Sequence, residues 1–184
     1  MFGTWKTSVL GAAVLVAMSG SAMAAGTASV QGGNVHFTGT VIDAACSVAM
    51  GDAGSNVEVD MGQVRSAKFT AVDMVANQKV PFTITLADCD TTVSANAQVT
   101  FNGNGVAGKT SVLANGAGPG SAAGVGIQIY DNTGATLNLG VASAKTALIN
   151  GNNTLHFSAD YISTAAAVVS GSVDATATFT MTYS

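Results

Sequence analysis

The last ten residues, 175–184, carry the most regular pattern of the sequence, ATATFTMTYS. Apolar or aromatic side chains occupy the odd positions, and threonine or serine occupies the even positions. A period of two places alternate side chains on opposite faces of an extended chain, so this segment predicts a β-strand with one buried face. We therefore expect Phe179, Met181 and Tyr183 to point into a core.

Similar alternation recurs through the rest of the chain and indicates an all-β protein. The shorter runs are residues 57–61, 80–86, 99–101, 125–130 and 155–161. Turn signals rich in glycine and asparagine separate them, as at residues 131–134 and 150–153. Short strands with regular turn signals are typical of a β-sandwich. No stretch shows a convincing helical stripe, although the alanine-rich residues 163–169 are compatible with one turn of helix.

A further alternating segment, residues 31–41, precedes the first cysteine. Its odd positions are mostly apolar or small, and they are Gln31, Gly33, Val35, Phe37, Gly39 and Val41. No turn connects this segment to a neighbouring strand, so we expect its partner in another chain, by addition of a strand to an exposed sheet edge. The last strand, which we expect no later strand to cover, offers such an edge.

Residues 1–24 have the features of a secretory signal peptide. Lys6 precedes an apolar run at residues 9–18, and the small residues that follow end in Ala22-Met23-Ala24. The run is too short to span a bilayer comfortably, so we expect cleavage before Ala25. Polar residues interrupt every later apolar run, and no membrane span is expected there. The remaining residues, about 160 of them, suit a single domain.

The charge balance argues against nucleic-acid binding. The whole chain has six basic and ten acidic residues, and removal of Lys6 with the signal peptide leaves five basic residues. Five bases are too few to form the basic face that a nucleic acid requires. The apolar content, 48% of the chain, argues against disorder.

Cys46 and Cys89 are the two cysteines of the chain. Export to an oxidising compartment favours a disulfide between them, whereas zinc would require further Cys or His ligands at short spacing. In the chain-entropy model, closing a loop of this length stabilises the fold by about 3 to 4 kcal/mol. We expect a disulfide and no metal site.

Residues 103–110, GNGVAGKT, match the phosphate-binding pattern G-x-x-x-x-G-K-T. That chemistry needs a helix that opens at Lys109, so that backbone amides face the phosphate. The residues that follow are too rich in glycine and proline for a helix, so we expect a turn between strands. His36 and His156 are the two histidines, and no nucleophile elbow accompanies them. We expect Asp88 and Asp90 to be solvated turn residues, and we predict neither a cofactor nor an enzyme.

Several segments, taken together in their order and spacing, resemble the major subunit of type 1 fimbriae, a chaperone–usher pilin. They are the signal peptide, residues 32–39 before Cys46, Asp88-Cys89-Asp90, residues 126–131 and Tyr183. The resemblance extends over the whole chain after the signal peptide. It implies an incomplete immunoglobulin-like sandwich that lacks its final strand and is completed by donor-strand exchange. The implied organisation is a signal peptide (1–24), an N-terminal donor-strand extension (25–41) and a pilin domain (42–184).

The resemblance also implies partners and roles. A periplasmic chaperone lends a strand to the subunit, and at an outer-membrane usher the extension of the next pilin, a copy of this chain or another pilin, replaces it. In that scheme successive groove pockets receive Gln31, Gly33, Val35, Phe37 and Gly39. Phe179, Met181 and Tyr183 line the groove and contact the chaperone. The implied product is a structural fimbria on the cell surface that supports adhesion.

Two other roles remain open from the sequence: a minor adaptor or terminator pilin, and a carbohydrate-binding adhesin subunit. A two-domain adhesin would carry a lectin domain before the pilin domain. We expect the length of this chain to leave no room for such a lectin domain.

Overall fold

A computed structural model describes residues 34–38, 41, 43–49 and 56–184. The chain separates into two compact units, Met1–Thr40 and Val41–Ser184. The predicted signal peptide, together with Gln31, Gly33 and Gly39, lies outside the described residues. Residues 34–38 have no regular secondary structure, and the side chains of Val35 and Phe37 are 77% and 86% exposed.

The second unit is built from β-strands, as the alternation predicts. Eight strands are described: β1 Ser47–Ala49, β2 Val80–Cys89, β3 Asn96–Gly103, β4 Val112–Ala114, β5 Val125–Tyr130, β6 Thr146–Ala147, β7 Gly151–Ser163 and β8 Ala177–Tyr183. Within the described residues the helical structure is one 3-10 turn, Ser66–Lys68. None of the helices described is long and apolar enough to cross a membrane.

The strands form two antiparallel sheets. The larger sheet has the order β1-β2-β7-β5-β4, and the smaller one has the order β6-β3-β8. Their inner faces meet around a cluster of aromatic rings, in which Phe101 of the smaller sheet lies edge-on to Phe157 of the larger sheet, with 5.2 Å between ring centroids. Phe82 stacks on Phe157 at 5.6 Å. The predicted β-sandwich is therefore confirmed.

Cys46 and Cys89 form a disulfide, with their Cα atoms 4.1 Å apart. Both residues are buried, and the bond joins the residue before β1 to the last residue of β2. A backbone hydrogen bond of 2.8 Å from the amide of Asp90 to the carbonyl of Ala45 lies beside it. The disulfide predicted from export and from the isolated cysteine pair is confirmed.

Three local predictions were wrong. Residues 57–61 alternate, yet they form no strand, because no described strand pairs with them. Residues 164–167 are bends rather than a turn of helix. The turn expected at residues 150–153 ends earlier, because β7 begins at Gly151. Gly151 starts this strand with a φ of 89°, a left-handed conformation that glycine adopts easily.

Candidate strand-acceptor edge

β8 differs from the other edge strands of the two sheets in length. β1, β4 and β6 have three, three and two residues, whereas β8 has seven. β8 pairs with β3 along one side, and no strand described in the structure pairs with its other side. Unpaired N–H and C=O groups on a long edge strand form a template for another strand, and very short edge strands avoid this hazard. β8 therefore presents the long open edge of the sandwich.

The side chains of β8 carry none of the usual protection of an edge. Natural edges are often blocked by charged residues, proline or a β-bulge. Residues 175–184 contain no charged residue and no proline, and the pairing of β8 with β3 has an unbroken register. Threonines cover the outer face of β8 and are exposed at Thr178, Thr180 and Thr182. Nothing in this strand opposes the approach of a further backbone.

The inner face of β8 is incompletely covered, and comparison with β3 shows this residue by residue. In the antiparallel register the inward residues pair as Ala97 with Tyr183, Val99 with Met181, and Phe101 with Phe179. The three residues on β3 are 1%, 1% and 5% exposed. Their partners on β8 are all half-buried, although they pack against the same core. The incomplete burial arises because, among the described strands, β3 has a neighbour on both sides, whereas β8 has one on one side.

Tyr183 is the most polar group on this inner face. Its hydroxyl Oη is buried and finds no hydrogen-bond partner among the described residues. Desolvation by burial raises the pKa of Tyr183 above its ordinary value of 10.0. The next residue is held firmly, because the backbone groups of Ser184 and Asn96 exchange hydrogen bonds of 3.0 and 2.9 Å. The end of β8 is therefore held by backbone hydrogen bonds, and the phenol of Tyr183 lies in an apolar environment.

The structure brings together the residues predicted for the groove strand, and sequence reasoning missed their partners. Phe179, Met181 and Tyr183 share one face of β8 as the alternation predicts. The alternation at residues 99–101 indicated that Val99 and Phe101 share a face, but not that they pair with β8. Val35 and Phe37, predicted for the donor strand, are exposed.

The phosphate-loop pattern at residues 103–110 lacks the element that phosphate binding needs. Gly103 ends β3, and the chain turns and enters β4 at Val112, so no helix opens at Lys109. The ammonium group of Lys109 donates a hydrogen bond to Asp73 in an ion pair.

The remaining polar candidates form no site in the described part of the chain. His36 and His156 are exposed. Asp90 Oδ1 accepts hydrogen bonds of 2.6 and 2.8 Å from the hydroxyl and backbone amide of Thr92, which lower the pKa of Asp90. No group of three metal-ligating residues is found among the residues described.

Comparisons with known proteins agree on one family. The family model "Fimbrial protein" matches residues 35–184. The type-1 fimbrial protein A chain of Escherichia coli K12 is 46% identical, with 97% of this chain and 99% of that protein covered. The fimbrial subunit type 1 of Salmonella typhimurium is 42% identical, with 96% of each chain covered. A subunit in a solved chaperone–usher pilus rod has a TM-score of 0.69 and 28% identity, over 87% of this chain and 100% of that one.

Proposed function

We propose that this chain polymerises through the open edge of β8. The premise is that the chain belongs to the fimbrial protein family and is a structural subunit of a type 1-like fimbria. A strand from a second copy, or from another pilin, adds along β8 and completes an immunoglobulin-like sandwich. The chain acts as a building unit, and we assign it no catalytic role.

The observation that carries the proposal is the combination of a long unpaired edge with a half-buried inner face on β8. An added strand would both pair with the edge and cover the inner face. Its backbone supplies hydrogen-bond partners for the free edge, and its alternate side chains fill the uncovered part of the inner face. The absence of charge from residues 175–184 fits a surface that becomes buried.

Residues 31–39 have the spacing that such a strand needs. Alternate residues of a strand lie about 6.5 to 7 Å apart on one face, and the inward residues of β8 repeat at the same distance. We assign the successive pockets to Gln31, Gly33, Val35, Phe37 and Gly39 of the incoming copy. The exposure of Val35 and Phe37 supports this assignment, because an incoming strand must present apolar side chains that become buried on its arrival.

The proposal includes the route to the surface. Residues 1–24 direct export, and a periplasmic chaperone occupies the edge of β8 until an outer-membrane usher exchanges it for the next subunit. The half-buried side chains of Phe179, Met181 and Tyr183 form the chaperone contact. In the absence of such a partner, an uncharged seven-residue edge is an aggregation hazard, which supports the need for one.

The test is a variant in which a second copy of residues 26–41 follows Ser184 through a flexible linker. Burial of Val35 and Phe37 contributes about 1.5 to 3 kcal/mol each. A domain of this size gains about 2 to 4 °C in melting temperature per kcal/mol. The fused protein should therefore melt roughly 6 to 24 °C higher and remain monomeric.

A matched control carries serine at Val35 and Phe37 of the added copy alone, and it should lose most of that gain. Deletion of residues 25–38 from the chain itself should leave a subunit that folds and binds chaperone but never enters fibres. Equal melting temperatures for the parent and the fusion would show that the sandwich is already complete, and donor-strand assembly would then be the wrong mechanism.

A further inference from the structure

Four Asn-Gly dipeptides occur in the chain: Asn102-Gly103, Asn104-Gly105, Asn115-Gly116 and Asn150-Gly151. In this dipeptide the backbone nitrogen of glycine can attack the side-chain amide carbon of asparagine, since no side chain on glycine hinders the approach. The attack requires an asparagine side chain that is free to turn and a glycine N–H that no other group holds. The structure meets these requirements unequally at the four positions.

Asn115 is locked. Its amide group donates hydrogen bonds of 2.9 and 3.0 Å to two carbonyls and accepts bonds of 3.1 and 2.9 Å from two backbone amides, the partners being Ala122, Ser172, Ala117 and Asp174. The nucleophile is held as well, because the amide of Gly116 donates to the carbonyl of Asp174 at 2.7 Å. Neither group of this dipeptide can move without breaking hydrogen bonds.

Asn150 and Asn102 are restrained in different ways. The side-chain oxygen of Asn150 accepts hydrogen bonds of 2.8 Å from both the backbone amide and the hydroxyl of Thr91. Asn102 belongs to β3, where it and the following glycine pair in register with β8. Rotation of the Asn102 backbone towards the attack geometry would break consecutive pairings of a continuous ladder, whereas Gly105 takes part in a single isolated bridge.

Asn104 is free by both criteria. It is exposed, and its side chain makes no hydrogen bond within the described part of the chain. Gly105 lies opposite Leu113 in an isolated antiparallel bridge. The two hydrogen bonds beside this bridge are donated by Val106 to Val112 and by Ala114 to Asn104, at 2.9 and 2.7 Å. They leave the N–H of Gly105 without a partner among the described residues.

The bond from Ala114 has a second effect on the same peptide group. It is accepted by the carbonyl oxygen of Asn104, which belongs to the peptide whose nitrogen is that of Gly105. A hydrogen bond to a peptide oxygen withdraws electron density from its nitrogen. The N–H of Gly105 is therefore easier to deprotonate, which is the step that precedes attack.

We propose that Asn104 is a site of spontaneous deamidation. A solvent base removes the proton of Gly105, and the nitrogen bonds to the side-chain carbon of Asn104 while ammonia leaves with a proton from water. Water then opens the five-membered succinimide at either carbonyl and gives aspartate or isoaspartate. Each event adds one negative charge to a chain whose formal net charge is −4. The fraction of subunits converted at Asn104 therefore rises with the age of the protein.

The experiment follows the four dipeptides in purified folded protein kept in mildly alkaline buffer at physiological temperature. Peptide mapping by mass spectrometry reads the conversion at each site, and enzymatic methylation reads isoaspartate. Asn104 should convert at least about tenfold faster than Asn115 and Asn150, the factor that corresponds to about 1.4 kcal/mol of restraint. Conversion of Asn104 no faster than that of Asn115 would overturn the proposal.

Two controls separate the fold from the local sequence. In Gly105→Ala a new Cβ would lie 3.3 Å from Leu139 Cδ1, and the backbone is not left-handed, so the variant needs a shift of only a few tenths of an ångström. It should slow conversion at Asn104 and leave the other sites unchanged. In concentrated urea the four rates should converge; the same ranking in urea would assign the difference to flanking sequence and refute the structural argument.

Discussion

β5 and β8 are strands of similar length that reach opposite degrees of closure. All six residues of β5 are buried. β8 alternates between half-buried and exposed residues, and none of its seven is buried. β5 lies between β4 and β7, whereas β8 has β3 alone as a described neighbour. The difference indicates that the inner face of a strand becomes fully buried when neighbouring strands lie along both of its edges.

The outer faces of the two strands differ as well. On β5, the hydroxyl of Tyr130 donates to Gln128 Oε1 at 2.6 Å, and Gln128 Nε2 donates to Ser111 Oγ at 3.0 Å. The ammonium of Lys79 lies 3.8 Å from the centroid of the Tyr130 ring. A Cβ at Gly126 would meet the carbonyl oxygen of Leu113 at 2.5 Å, so glycine allows β4 to pack this closely. The outer face of β8 carries exposed threonines instead.

Phe157 and Phe179 offer the sharpest test, because both rings pack against Phe101, at 5.2 and 6.3 Å. Phe157 is buried in β7, so Phe157→Ala should cost about 3 to 5 kcal/mol of unfolding free energy. Phe179 is half-buried, and Phe179→Ala should cost about half as much in the isolated subunit.

Urea unfolding of both variants, with and without the fused copy of residues 26–41, measures these costs. With the added strand present, the cost of Phe179→Ala should rise towards that of Phe157→Ala. A cost that does not change on fusion would place the added strand away from Phe179.

Cys46→Ser is expected to have the next largest effect. The disulfide fixes β1, a three-residue edge strand, to the end of β2 across 43 residues of sequence. Its loss should lower the free energy of unfolding by about 3 to 4 kcal/mol in the chain-entropy model. Thermal unfolding of the subunit should show this loss, whereas fibres already formed should change less. An unchanged melting temperature of the subunit would contradict the stabilising role.

The tyrosines should give the smallest effect and distinguish the two regions by pH. Burial, with a contribution from Asp160 at Tyr130 and from Asp60 at Tyr161, raises the pKa of both residues, and burial raises the pKa of Tyr183. A tyrosine whose folded pKa exceeds its unfolded value contributes stability that is present below pH 10.0 and is lost as the pH rises through the folded pKa.

Absorbance titration of the phenols measures these pKa values. Addition of the fused strand should raise the pKa of Tyr183 further, because its ring becomes more deeply buried, and should leave Tyr130 and Tyr161 unchanged. Equal shifts at all three tyrosines would indicate a general effect of the fusion rather than closure of β8.

The sequence by itself determined the class of fold, the disulfide and the direction of the side chains in each strand. The alternation of residues 175–184 placed Phe179, Met181 and Tyr183 on one face, because side-chain direction in a strand follows from local backbone geometry. Glycine and asparagine marked several of the turns for similarly local reasons. The isolated cysteine pair, together with the predicted signal peptide, sufficed to predict the disulfide.

The tertiary structure alone decided which strands pair and which edge stays open. Residues 57–61 alternate as clearly as many strands, yet they remain irregular, while β7 extends to residues read as a turn. Gln128 is a polar residue within β5, and it is buried with hydrogen bonds to Tyr130 and Ser111. Asn104 and Asn115 each precede a glycine, yet hydrogen bonds with residues distant in sequence restrain the side chain of Asn115. Pairing, burial and restraint depend on residues distant in sequence, and a local period of two carries no information about those partners.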